Sequence, residues 1–333
     1  MIPAIDATRL FADNPGPPRD RCDAKIWRAA TETGFMTLKN LPDDIAPSRP
    51  VRADLLRLFS VGEEVKKRLS RRKFEPSNTN IYRGWFPLQG GTITYKEGID
   101  LGPDVAHDEA VINSSDPLTE PTPLPTEAEL PGWREAAARY YRGMERLGRA
   151  MMRSIARSLH LPETTFDDTF RGVISTLRLL HRPQASFAGA DPSKVWVEHK
   201  GRRRYVIAAP HIDSGFVTLL AQDGVEGLQV RTADGGWVGV PPLEGALAVN
   251  FGGLLERWTG HKIKATEHRV LGPGEERFSI PFFYEPRVDA TIAPLPKSQT
   301  KFAPFYYGDH LWEASTKFIE FKGLENARKP LHD

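Results

Sequence analysis

PHIDSGFVTLLAQDGVEGLQV, residues 210–230, decides how the rest of this 333-residue chain is read. It opens on His211-Ile212-Asp213 and continues as Phe216–Ala221, an apolar run too short for a helix and bounded by the turn signal Asp223-Gly224. Side chains of an extended segment alternate, so His211 and Asp213 fall on one side and one ion is within reach of both. A His-x-Asp triplet carries little weight alone, because nine histidines supply one by chance. Residues further down the chain give it weight. His268 lies 55 residues beyond Asp213 in ATEHRV (265–270), and nine residues later RFS places Arg277 and Ser279. Either histidine alone reads first as a hydrogen-bonded structural residue. Together with Asp213 they make the two-imidazole, one-carboxylate set that leaves positions open on non-haem Fe(II).

The segments around this stretch are rich in β signals. Ile174–Leu180, Lys194–Glu198, Arg204–Ala208, Leu228–Arg231, Gly236–Val240, Ala246–Asn250, Ala265–Leu271 and Phe278–Tyr284 all read as short strands. Asp234-Gly235-Gly236, Pro241-Pro242 and Gly272-Pro273-Gly274 punctuate them. Many short strands at such spacing predict a mostly β core, a barrel or double-sheet jelly roll. Asn250-Phe251-Gly252-Gly253 and the hairpin at Asp234–Trp237 are read as structural turns.

The first half is more helical. Thr126–Leu161 is the longest helical stretch, and its Trp133, Ala137, Tyr141, Met144, Leu147, Met151 and Ile155 recur at helical spacing. A Met and aromatic stripe of that period is core packing, not a cofactor box. Asp20–Thr33 and Val51–Leu69 predict further helices, the second restarted by a Ser60-x-x-Glu63 capping box. Ile2–Ile5 and Gly34–Leu38 predict strands. Residues 71–125 read as mostly irregular, with a Gly90-Gly91 turn and four prolines at 117, 121, 123 and 125, and a short helix is expected near Asp309–Phe318.

Lys and Arg total 45 against 43 for Asp and Glu, a net charge of +2 that makes no case for nucleic acid or a membrane surface as partner. Cys22 is the only cysteine, so no intrachain disulfide forms. The start MIPAIDATRLF has no basic segment leading into an apolar core, and no apolar run is long enough to span a membrane. A cytoplasmic protein is expected. Residues 1–333 are read as one domain: a largely helical support region over 1–170, a β core with the metal site over 171–290, and a C-terminal lid or helix over 291–333.

PHIDSGFVTLLAQDGVEGLQV (210–230), GGWVGVPPLEGALAVNFGGLLERWTGHKIKATEHRV (235–270) and ERFSIPFFYEP (276–286) closely resemble the isopenicillin N synthase-like family of 2-oxoglutarate/Fe(II)-dependent oxygenases. IPAIDATRLF (2–11), TGFMTLKNLP (33–42), YRGWFPL (82–88), KEGIDLG (96–102) and YGDHLWEASTKF (307–318) extend the resemblance over nearly the whole chain. It implies a distorted double-stranded β-helix (jelly roll, cupin-like) with helices packed along one side. It also implies Fe(II) at His211, Asp213 and His268, and 2-oxoglutarate held at its far carboxylate by Arg277 and Ser279, as a guanidinium fork and a hydroxyl suit. The implied activity hydroxylates, desaturates or cyclises a small molecule at a C–H bond, using O2 and releasing succinate and CO2. Two alternatives stand beside it: an oxidase of the same fold that needs no 2-oxoglutarate, as isopenicillin N synthase is, and a catalytically silent metal- or ligand-binding barrel.

The chain departs from the family in two places. Positions on the strand Thr176–Pro183 that often carry a cosubstrate-binding Asn and Tyr hold Leu180 and Arg182. Arg178, on the same strand face, either meets an anionic substrate or forms a structural ion pair. The segment Asp191–Arg204 is longer and more basic than in many relatives, as a surface hairpin or a lid. Tyr82 and Phe283 are candidate substrate contacts, with barrel core as the other reading, and His261 and His310 are read as solvent-facing or capping. The basic and aromatic residues of this half suggest a small-molecule substrate with a carboxylate and an apolar part.

Overall fold

Parallel strands cannot be joined by a hairpin, and the chain begins with such a pair. In a computed structural model, which describes residues 1–12, 16–89, 96–107, 115–184, 195–295 and 300–331, β1 (Ala4–Asp6) and α1 (Pro17–Glu32) lead into β2 (Phe35–Lys39), which lies parallel to β1. Prolines at the first two helical positions of α1 pre-set the backbone angle where no hydrogen bond is lost. Gly34, with φ +67°, ends the helix, its N–H bonding back to the Ala29 carbonyl. Ile26, Ala29 and Ala30 make the buried face of α1.

The helix expected over Val51–Leu69 is two helices. α2 (Arg49–Leu56) runs into a 3-10 turn at Arg57–Ser60, and α3 (Glu63–Leu69) starts after Gly62. The capping box does not form, because the Ser60 hydroxyl donates to the Arg57 carbonyl at 2.7 Å. Residues 71–125 are also more ordered than expected. β3 (Gly84–Phe86) and β4 (Glu97–Leu101) pair with each other and extend the main sheet, every residue of both being buried. Gly98 permits this approach, since a Cβ there would strike the Leu179 carbonyl and the Phe86 ring. The expected Gly90-Gly91 turn lies outside the described residues.

α4 (Trp133–Ser158) presents the expected stripe, from Trp133 to Ile155, wholly to the interior. Its Tyr141 hydroxyl donates to the Ser175 carbonyl at 2.6 Å and its Trp133 indole to the Leu55 carbonyl at 2.9 Å, so these buried polar atoms are satisfied. After it come β5 (Thr176–Arg182), β6 (Trp196–His199), β7 (Arg202–His211), β8 (Val217–Gln222), β9 (Leu228–Arg231), β10 (Trp237–Gly239), β11 (Leu247–Phe251), α5 (Gly253–Trp258), β12 (His268–Gly272), β13 (Arg277–Tyr284), β14 (Thr291–Ile292), β15 (Phe305–Tyr306) and α6 (Tyr307–Ser315). Each expected strand of this half has its counterpart, with residues 191–194 of the Asp191–Arg204 segment outside the described residues.

The strands form an eight-stranded sheet, β1-β2-β11-β8-β13-β5-β4-β3, a five-stranded sheet, β10-β9-β12-β7-β6, and the small pair β14-β15. From β7 to β13 the chain passes repeatedly between the two larger sheets, the winding of a double-stranded β-helix. Alternation gives the larger sheet two faces. Leu177, Leu179, Ile280, Phe282 and Tyr284 are buried on the face that meets α4, while Thr176, Arg178, Leu180, Ser279 and Phe283 turn to a cavity shared with the other sheet. Among the described residues no helix is long and apolar enough to cross a membrane.

Candidate metal centre and its cavity

His211 ends β7 and His268 begins β12, and the two are direct cross-strand partners. Their rings lie 4.2 Å apart between centroids. Asp213 stands in the connection to β8, and its Oδ1 sits 3.6 Å from His211 Nε2 and 3.7 Å from His268 Nε2. One ligand atom from each of the three lies within 4.8 Å of the others. Bonds of about 2 Å from one ion reach all three.

Backbone contacts fix the imidazoles. His211 Nδ1 lies 2.8 Å from the Ala209 carbonyl, and His268 Nδ1 lies 3.2 Å from the Thr266 carbonyl. A carbonyl only accepts, so Nδ1 carries the proton in both rings and each Nε2 lone pair is left for a metal. Burial, reinforced by His211, pulls His268 below the usual imidazole range against the attraction of Asp213, which favours the neutral form a ligand needs.

The Asp213 carboxylate is oriented just as firmly. Its Oδ2 accepts from the Thr218 hydroxyl at 2.5 Å and from the Asn250 amide at 2.7 Å, which leaves Oδ1 facing the imidazoles. Burial opposes its ionisation. Positive charge on His268 and His211, when present, and the two hydrogen bonds at all times outweigh burial and hold the carboxyl below its ordinary range. Asn250 and Thr218 are themselves cross-strand partners on β11 and β8. The sequence reading took Asn250 as part of a structural turn and passed over Thr218; both touch a candidate ligand.

The connection 213–216 is clamped by the start of α5. Gly253 N–H donates to the Asp213 carbonyl at 2.7 Å, Leu254 to Ser214 at 3.2 Å and Gly252 to Phe216 at 2.8 Å. A Cβ on Gly252 would overlap the Gly215 backbone, so this clamp requires glycine. His310, expected to face solvent or cap a helix, is part-buried and donates from Nε2 to the Ser214 carbonyl at 3.1 Å. His261 is exposed, as expected.

The triad lies in the wall of a cavity of about 780 Å³ that Arg277, Ser279, Phe283, Arg178 and Tyr82 also line. Arg277 is 4% exposed, and its Nη1 donates to the carbonyls of Val225 and, at 3.1 Å, Glu226. Burial pulls its guanidinium down to about 10, against the opposing charge of Asp223, so it stays positive at neutral pH. Arg178 donates from Nε and Nη2 to the two oxygens of Asp100, at 2.5 and 2.7 Å, and its guanidinium carbon lies 5.6 Å from the Phe283 ring centre. An ion pair and a place in the cavity wall therefore coexist at this residue. Tyr82 is buried and stacks on Phe321, with centroids 5.1 Å apart.

The donor set fits Fe(II): two neutral nitrogens and one carboxylate oxygen, fixed on one side of the site, with the cavity on the other. The cavity also fits a dicarboxylate oxo acid, since a buried cation and a hydroxyl from β13 lie in the same wall.

Residues 192–286 match the model of the 2OG-Fe(II) oxygenase superfamily. The 2-oxoglutarate-Fe(II) type oxidoreductase hxnY of Emericella nidulans is 34% identical over 234 residues, which cover 67% of this chain and 63% of the relative, so this chain spans less than two thirds of that protein's length. Isopenicillin N synthase of Streptomyces clavuligerus is 27% identical over 318 residues, covering 93% of each. Among solved structures, a full-length Neurospora crassa protein in complex with alpha-KG and 5-formyluracil superposes with a TM-score of 0.73 at 27% identity, covering 93% of this chain and 94% of that one.

Proposed function

We propose that the chain is a 2OG-Fe(II) oxygenase that oxidises a C–H bond of a small molecule while converting 2-oxoglutarate and O2 to succinate and CO2, a reading that the family match over residues 192–286 and the relatives support. One observation carries this reading: His211 Nε2, His268 Nε2 and Asp213 Oδ1 converge in the wall of a cavity that also holds the buried Arg277. When bound, Fe(II) supplies the redox chemistry that no side chain can.

The chain's own residues do the rest. His211, Asp213 and His268 hold the ion from one side. Thr218 and Asn250 keep the Asp213 carboxylate from turning, and the Ala209 and Thr266 carbonyls keep both Nε2 atoms unprotonated. Arg277 and Ser279 bind the far carboxylate of 2-oxoglutarate, which sets the oxo-acid end toward the triad. Leu220, Pro281 and Phe283 exclude water beside it. N-terminal β1–β4 complete the eight-stranded sheet, which supports the whole of 1–333 acting as one catalytic unit. A single buried cysteine, Cys22, sets no demand for an oxidising compartment and supports a cytoplasmic site of action.

For the substrate we propose a small molecule with an apolar body and a carboxylate, because Arg178 and Lys96 line the same cavity as Phe283 and Pro281. Arg178→Gln then raises KM for a carboxylate substrate and leaves KM for its amide unchanged; equal effects on both would remove the carboxylate from the proposal.

The test of the activity is an anaerobic titration of apo-protein with Fe(II) and then 2-oxoglutarate, monitored in the visible. A charge-transfer band that needs both, vanishes in His211→Ala and weakens in Arg277→Ala is the expected result. Iron binding without a band on adding 2-oxoglutarate would point to an oxidase of the isopenicillin N synthase kind. Failure to bind iron would leave a silent barrel.

A further inference from the structure

Behind the larger sheet, on the side that α4 covers, a second cavity of about 260 Å³ opens between α4 and the start of α1. It shares no lining residue with the iron cavity. Arg146, Arg149, Arg153 and Arg157 follow one another at steps of three and four residues, so they stand in a row on one face of α4. Arg19, in the first turn of α1, reaches the same wall, where Glu163 is the one acid among the described residues. Leu10, Phe11, Ala12 and Ala150 form an apolar edge.

Acids hold most of these cations in place. Arg157 gives Nε and Nη2 to Asp23, both at 2.7 Å, and Arg153 gives Nε and Nη2 to Asp167, at 3.3 and 2.6 Å. Arg146 pairs with Asp44, while Glu163 lies 3.5 Å from Arg19 Nη2 and 3.1 Å from Arg157 Nη1. Asp23, Asp44 and Asp167 do not line the cavity, so they fix the guanidinium groups and leave the wall itself cationic. Arg149 enters none of the ion pairs among the described residues. Its charge falls on the Tyr284 phenol and on Glu145, which already has His107 at 2.7 Å. Arg19 Nε is buried and meets no acceptor among the described residues, a cost that an arriving acceptor would remove. Five arginines thus face four paired acids, with donors left over.

A tetrahedral phosphate dianion suits that wall better than a carboxylate. Its oxygens can take donors from arginines on two helices at once, and it brings two negative charges to a cluster of cations. We infer that this cavity is a second ligand site, which binds a phosphate group between α1 and α4, either free or carried on a small apolar body that packs on Leu10 and Phe11. Arg149 and Arg19 are its principal donors, since the fold leaves them the most unmet capacity. Arg146 lies over the Phe11 ring, 5.0 Å from guanidinium carbon to ring centre, and so joins the apolar edge to the cationic wall. The site is independent of the proposed function, because none of its residues lines the iron cavity.

The experiment is calorimetry on the whole chain near neutral pH with three ligands: inorganic phosphate, phenyl phosphate and acetate. Wild type is expected to bind both phosphates, and acetate at least ~10-fold more weakly. Arg149→Gln is expected to weaken both phosphates ~3–10-fold, the lower part of the range for a charge-assisted contact because Arg149 is exposed. Arg19→Gln is expected to weaken them ~10–100-fold, since that side chain is only 11% exposed. Tighter binding of phenyl phosphate, with the advantage lost in Phe11→Ala, would assign an organic phosphate ester; equal affinities would assign free phosphate, and either supports the site. Loss of phosphate binding in Arg277→Gln with none in the Arg149 and Arg19 variants would put the anion in the iron cavity and overturn the inference. Acetate bound as tightly as phosphate would show a diffuse basic surface and also overturn it, as would no phosphate binding up to about 10 mM. The proposed function stands or falls separately, on the iron titration.

Discussion

Thr218→Val removes one hydroxyl and keeps the shape of the side chain, so it isolates the 2.5 Å hydrogen bond to Asp213 Oδ2. The Asn250 amide, at 2.7 Å, still donates to that oxygen. A hydrogen bond to a charged group contributes about 1.5–3 kcal/mol, and the low polarity around a buried carboxylate favours the upper part of that range. Part of the contact survives because Asn250 can shift toward the vacated lone pair, so we expect about 1.5–2.5 kcal/mol, a loss of ~10–70-fold in Fe(II) affinity. Asn250→Ala is expected to cost as much or more, because it also leaves a void. The double variant frees the carboxylate to rotate, which carries Oδ1 off the 3.6 and 3.7 Å approach to the two Nε2 atoms, and it should lose more than either single change. The assay is anaerobic competition for Fe(II) against a chelator of known affinity, with binding stoichiometry as a control. Thr218→Val that holds iron as tightly as wild type would refute the reasoning, since it would mean that packing alone orients Asp213.

Buried groups elsewhere set three further outcomes. Burial, only partly offset by Arg83 and by the hydrogen bond from Thr176 at 3.1 Å, pushes the Glu285 carboxyl up to about 7. The folded protein therefore keeps a proton that the unfolded chain loses near 4.5, so stability is full below that pH and falls by up to about 3 kcal/mol as pH rises through 7. Glu285→Gln should flatten this slope in urea unfolding curves and exceed wild type at pH 8; an unchanged slope would place the titration elsewhere. Asp100 is fully buried and pairs with both Arg178 and the fully buried Arg71, which lies between the Phe86 and Phe321 rings. Asp100→Asn should destabilise by about 3–5 kcal/mol in equilibrium unfolding, because the fully buried Arg71 and the half-buried Arg178 lose their acid, and a change under about 1 kcal/mol would contradict that. Gly148→Ala sets a helix-propensity gain of about 1 kcal/mol against a Cβ driven into the Tyr284 ring, which cannot retreat because it stacks on Phe170 at 4.7 Å. Overpacking of about 1–3 kcal/mol should win, lowering the melting temperature.

How much of this was legible depended on whether the signal was local. His211-x-Asp213 and Arg277-x-Ser279 are local, since period-two alternation puts each pair on one face before any partner strand is known. The strands of the second half were legible for the same reason, with turn residues marking their ends. β3 escaped notice because three residues give no period. β4 escaped because Gly98 lowers strand propensity while serving the close approach to Leu179 and Phe86. The break before α3 was legible as a position but not as a geometry, since a Ser and a Glu three apart are compatible with a cap and with a 3-10 turn. Thr218 and Asn250 did leave a trace. Each is a polar residue inside an apolar strand, VTLLA and LAVNF, and a buried polar group demands a partner. What the chain could not give was the register that makes them neighbours of each other and of Asp213.

Register also separates the two arginines of β5, which look alike in the sequence. Arg178 and Arg182 stand four residues apart on one strand, and alternation turns both toward the cavity. What distinguishes them is the neighbouring strand opposite each. β4 sets Asp100 directly opposite Arg178, so that cation meets an acid already in place. β13 sets Arg277 directly opposite Arg182, so that cation meets a second base. The first arrangement supplies an acid from within the fold, so its loss should read out in stability as well as in substrate binding. The second sets two bases side by side in the cavity wall beside Ser279. A charged residue on the inner face of such a sheet therefore has no role set by its own type. The role is assigned by the residue across the strand.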